Sequence, residues 1–137
     1  MATNRKYGQS DTIWPHVKVI AQTASRTSNH ALSSDPVVCG QVPGVALDDA
    51  DENGRTRMQV DGIFEIQVTG KDASGTSGAD ANVAVNGGDA LYFDKDKTPP
   101  VSKRAGGILF GYAVGDSGVA MVTSGATGAI MVQIGKP

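Results

Sequence analysis

Apolar residues in this chain come in short runs, and nearly every run is bounded by glycine. In order they are Pro36-Val37-Val38-Cys39-Gly40, Pro43-Gly44-Val45-Ala46, Gly62 to Val68, Gly88 to Phe93, Gly107 to Val114 and Gly128 to Gly135. A helix of a globular domain needs an apolar stripe at a 3.6-residue period sustained over roughly ten residues or more, whereas short runs between turn formers are strands. Two runs carry the finer signature of a half-buried strand. Phe64, Ile66 and Val68 fall on one face with Glu65 and Gln67 on the other, and Ile130, Val132 and Ile134 share a face. This period of two is set by the pleat, which sends successive side chains to opposite sides.

The stretches between the runs complete the outline. Residues 1–16 are polar and mixed and read as an arm, with the single tryptophan, Trp14, near its end. A lone tryptophan on an arm docks either on its own core or on a neighbour. Val17–Ile20 reads as the first strand, and residues 21–35, rich in Ser, Thr and Asn, as a loop, with a short helix near 21–32 as the alternative. The runs 36–40 and 42–46 are broken by Pro43-Gly44, and Asp48 to Gly54 is an acidic turn. Residues 69–80 hold nothing that could enter a core and read as an exposed, mobile loop. Asn86-Gly87-Gly88-Asp89 is a tight-turn signal between Asn82–Val85 and Ala90–Phe93, and Asp94 to Pro100 is a charged loop. The expectation is an all-β protein: a single-domain β-barrel or sandwich of short strands over 17–137, with long loops and an extended N-terminal arm at 1–16.

Charge and cysteine usage narrow the function. A net charge of −2 is not the footprint of a nucleic-acid binder. The basic pairs Arg5-Lys6 and Lys103-Arg104 are too short to track phosphates and read as solvated surface. The one cysteine, Cys39, excludes an internal disulfide and reads as a small buried hydrophobe, an intermolecular disulfide being the alternative. Met1 to Lys6 is not followed by the apolar stretch of a signal peptide, and no run approaches the roughly 18 apolar residues of a membrane span.

Little is left for chemistry. Asp49-Ala50-Asp51-Glu52-Asn53-Gly54 matches the first half of a calcium loop, making Asp49, Asp51 and Asn53 a weak metal candidate. The twelfth position, where that loop needs a bidentate Glu, is Val60, and the same residues are what a β-turn uses. His16 and His30 have no metal-binding spacing, no Gly-x-Ser-x-Gly elbow exists, and Gly70-Lys71 lacks the rest of a phosphate loop. Neither catalytic residues nor a cofactor are expected, and the chain reads as a protein that works through its surfaces.

The order of the runs resembles the capsid cement, or decoration, proteins of tailed bacteriophages. Ser34 to Gly40, Pro43 to Leu47, Val60 to Ile66, Gly87 to Tyr92, Gly111-Tyr112-Ala113, Ser124-Gly125-Ala126 and the strand Ile130 to Ile134 carry the resemblance over about residues 34–135. It implies a small β-barrel bound to the outside of an assembled capsid, where capsomers meet, often as a trimer. Its partners would be the major capsid protein and copies of itself, with no nucleic acid and no membrane. Its place would be the outer surface of the virion, after synthesis in the host cytoplasm. Arg5, Lys6, Tyr7, Trp14, Lys103 and Arg104 are the candidate contact residues, and exposed strand edges suit pairing with a neighbour's strand. A surface-displayed carbohydrate- or host-binding domain is the alternative. It is poorly supplied with aromatic platforms, having 1 Trp, 3 Tyr and 3 Phe. A small hydrolase using His16 or His30 is a third reading.

Overall fold

The two alternating runs form the longest ladder in the protein. The computed structural model describes residues 13–22 and 30–134. Its strands are β1 (Ile13–Lys18), β2 (Pro36–Cys39), β3 (Val42–Ala46), β4 (Arg55–Gln59), β5 (Gly62–Thr69), β6 (Lys71–Asp72), β7 (Ala81–Asn82), β8 (Val85–Asn86), β9 (Ala90–Phe93), β10 (Val101–Ser102), β11 (Ile108–Ala113), β12 (Ala120–Val122) and β13 (Thr127–Ile134). The single helical element among the described residues is a 3₁₀ turn at Thr76–Gly78. The fold is all-β.

β5 and β13 pair antiparallel along their whole lengths, with Phe64 opposite Val132 and Ile66 opposite Ile130. Inward residues therefore meet inward residues at each rung, the condition that fixes register in a strand with one buried face. Five strands close into a barrel in the order β10-β5-β13-β11-β9. Val68, Leu91, Val101, Phe110, Val132 and Ile134 fill it and are almost fully buried. Each such side chain contributes about 1.5–3 kcal/mol of transfer free energy. Phe93 and Phe110 lie with ring centroids 6.4 Å apart inside it. Gly111 is dictated by close approach, because a Cβ there would run into the Gln133 carbonyl oxygen.

A four-stranded sheet, β1-β4-β3-β2, packs against the barrel. Its central residues split between two cores. Val38 and Val45 join the barrel cluster, while Val37 and Ala46, one residue along, join Val19, Ala21, Ala31 and Met58 in a second cluster. The segment after β1 returns to the far edge, where Ile20 and Val38 exchange backbone hydrogen bonds of 2.8 and 3.0 Å. The outer edge of β2 is thus partly covered, and β1 carries an irregularity at Pro15 and His16 that interrupts pairing.

Several sequence expectations are corrected. Pro43-Gly44 does not break the chain: β3 runs through it, and the turn is at Gly40-Gln41. Gly44 is needed inside the strand because a Cβ would meet the Gln59 carbonyl oxygen and Met58 Cγ, each at 2.6 Å. β1 begins at Ile13, so the last four residues of the expected arm lie in a sheet. The segment 69–80 is built, not loose: Thr69 and Gly70 are buried, β6 pairs with β7, and Asp72 Oδ1 accepts from Ser74 N at 3.0 Å. The turn at 86–89 is present, with Asp89 N donating to Asn86 O at 3.1 Å, but it does not make a hairpin. β8 pairs with β12, and β9 with β10 and β11. Closure of the barrel also removes the open edges expected on that sheet. The helix alternative near 21–32 falls largely on residues 23–29, outside those described.

Candidate docking face

Of the contact residues expected from sequence, Arg5, Lys6 and Tyr7 lie outside the described residues. Trp14 sits on β1 opposite Met58 and packs against the second core. Of its two expected docking places, it takes its own core. Cys39 is a free, half-buried thiol packed on the same cluster.

Lys103 and Arg104 are braces within the domain, and the reading of Arg104 as solvated surface is corrected. Arg104 is only 8% exposed. Its Nε and Nη2 donate to the two carboxylate oxygens of Asp80, each at 2.7 Å, and Nη1 donates to Ser102 Oγ at 3.0 Å. Two parallel bonds of this kind are the strongest arrangement a guanidinium makes with a carboxylate. The bond from Arg104 holds the Asp80 carboxyl below its ordinary range, and the same bond raises the guanidinium. Lys103 Nζ lies 2.8 Å from Asp89 Oδ2 and donates to Ala84 O at 3.1 Å. Burial pushes the Asp89 carboxyl up, but bonds from Lys103 and Asn86 outweigh it and the net direction is down. Adjacent basic residues on one short strand end thus tie down the 73–82 and 84–89 segments, which have little apolar content of their own.

The acidic turn is likewise occupied with holding the chain. Asp51 Oδ1 accepts from Asn53 N at 2.9 Å and Arg55 N at 3.0 Å, and Asp49 Oδ1 accepts from Ser33 N at 2.8 Å. The bond from the Arg55 amide, opposed by some burial and joined by that from Asn53, keeps the Asp51 carboxyl low. Asp51 thus closes its own turn, with Asn53 supplying a backbone donor, while Asp49 ties that turn to Ser33. Among the described residues no three His, Cys, Asp or Glu side chains gather as a metal site would require. His16 Nε2 is 3.5 Å from Asp51 Oδ2, both well exposed. His30 lines a different, open groove with Lys18, Glu52 and Asn53.

What stands out on the surface is apolar. On the outer side of β5 and β13, and just past the end of β11, positions that should be polar carry Ile63, Met131 and Val114, and Ile63 and Met131 are 54% and 49% exposed. Ile63 pairs with Gln133, Met131 pairs with Glu65, and Val114 N donates to Met131 O at 2.9 Å, so these residues are cross-strand and diagonal neighbours. Tyr112 stands opposite Gln133 in the next row. Met121 lies over Gly115, which follows Val114, and Val119 is exposed nearby in the chain. Residue choice by sequence reasoning missed this wall. The signal was present: in both alternating strands an apolar residue, Ile63 or Met131, sits on the face otherwise given to Glu65, Gln67 and Gln133.

A family model described as phage cement protein matches residues 18–132. The chain belongs to that family. No curated protein and no solved structure matches it. A cement protein is a structural component associated with the phage capsid, and its working parts are surfaces that meet other surfaces. On this cement protein the described surface offers one extended apolar wall, β5-β13-β11. Beside it runs a groove of about 370 Å³ that includes Glu65, Gln67, Asp35 and Pro99.

Proposed function

We propose that this cement protein binds the outer surface of the assembled capsid at seams between capsomers. There it stabilises the shell against internal pressure through contacts with the major capsid protein, as a homotrimer and without catalysing a reaction. The match to the cement family over residues 18–132 carries the reading. The exposed apolar wall on a closed barrel supports it, since contiguous apolar surface on a soluble domain marks a place where another protein binds. Repetition over a lattice turns modest single contacts into strong retention, so each copy needs only a limited face. Synthesis in the host cytoplasm, followed by addition to finished shells, fits this role.

The test is sedimentation and thermal melting of capsids assembled without the protein, before and after adding it. Co-sedimentation at saturable stoichiometry and a higher shell melting temperature are expected. Shells that neither bind the protein nor gain stability would end the proposal.

A further inference from the structure

We infer that the β5-β13-β11 wall is the face that lies against the capsid shell, and that the shell presents a lysine or arginine to Glu65. This rests on the capsid-binding reading above. The first support is the pattern itself. Ile63 and Met131 break the polar side of two paired strands, and Val114, just past the end of β11, adjoins them through its bond to Met131 O. Single exposed apolar residues are ordinary, whereas a contiguous set is not. The second is closure. The wall is the outside of a barrel whose ladder is complete, so a partner there meets side chains and not free backbone groups.

The third is charge, and it selects the occupant. Glu65 stands among these apolar residues and makes no ion pair among the described residues. The described residues of the groove it lines include neither lysine nor arginine. Two copies meeting wall to wall would bring Glu65 towards its own counterpart with no cation between them, a like-charge contact that opposes association. The face fits an apolar partner surface carrying a basic residue, and the capsid protein is the partner the family supplies. Of the candidate basic residues that the structure describes, Lys103 and Arg104 are committed to Asp89, Ala84 and Asp80.

The experiment compares the full chain with Met131→Lys, Glu65→Lys and Glu65→Gln. Each is assayed for co-sedimentation with assembled capsids of the encoding phage made without the protein, and for solution mass by light scattering. Both sites point outward, and circular dichroism confirms that each variant is folded. Loss of a central contact weakens binding by about 30-fold or more, the expected effect of Met131→Lys and Glu65→Lys. Glu65→Gln should bind more weakly than wild type and lose part of the salt dependence of binding. If the wild-type protein binds shells and all three variants bind equally well, the docking face lies elsewhere and the inference is wrong while the capsid reading stands. If the variants change the solution mass and leave shell affinity intact, the wall joins copies of this chain, and the inference is again wrong. If the wild-type protein does not bind shells, the capsid reading fails and takes the inference with it.

Discussion

Asp80→Ala should be far more damaging than its exposed position suggests. It removes the carboxylate that Arg104 grips through two 2.7 Å bonds. The arginine remains, its side chain 10% exposed, with Ser102 Oγ as a described hydrogen-bond partner and Asp94 as a nearby carboxylate that does not bond it directly. Stripping one member from a buried pair costs about 3–5 kcal/mol, because a charge is left out of water without compensation. Asp80 itself keeps 31% of its side chain in solvent, so the pair is screened and the expected loss is nearer 2–3 kcal/mol. For a domain of this size that lowers the Tm by about 6–12 °C. The reverse change, Arg104→Met, leaves an accessible carboxylate with Lys97 Nζ 3.8 Å away and puts a methionine into the vacated apolar path. Its cost should be about 1 kcal/mol. Combining both changes should recover part of what Asp80→Ala loses. Calorimetry of the four proteins measures all three quantities. An Asp80→Ala protein melting within about 2 °C of wild type, or an Arg104→Met protein melting lower than Asp80→Ala, would refute the brace.

Gly111→Ala forces a Cβ against the Gln133 carbonyl and should cost about 1–3 kcal/mol by denaturant titration, whereas an unchanged midpoint would show that β11 can move away. Deleting residues 1–16 removes Trp14 from the second core and should lower the melting temperature by several degrees, and an unchanged value would show that Trp14 does not anchor that core. Stability should fall in acid. The Asp80 and Asp89 carboxyls are held below the ordinary 3.8, so their contribution is complete above that value and lost as pH falls through the lower folded-state value. An Asp80→Asn protein should show a shallower acid limb in a Tm-versus-pH series, and an identical limb would remove Asp80 as a cause.

The inward half of the barrel was legible in the sequence because alternation is a local property. Phe64, Ile66 and Val68 and their partners Ile130 and Val132 are visible as a face before any pairing is known. What sequence could not give depended on distant neighbours. Gly44 looks like a turn until Met58 and Gln59 are seen to pass over it. The segment 69–80 looks loose because its order comes from outside: Asp80 is held by a residue 24 positions away. Lys103 and Arg104 look like free surface charge for the same reason. The N-terminal boundary slipped because Trp14, read as part of an arm, pairs across to β4. The outer wall was missed for a different cause. Attention to buried faces passes over Ile63 and Met131, which are informative only because they sit on the wrong side of an otherwise well-behaved strand.

A density map of capsids decorated with this protein tests the central claim most directly. The expected map places β5, β13 and β11 against the shell, with Ile63, Val114 and Met131 covered and a lysine or arginine of the capsid protein beside Glu65. A map in which the protein sits on the shell with that wall facing solvent would contradict it.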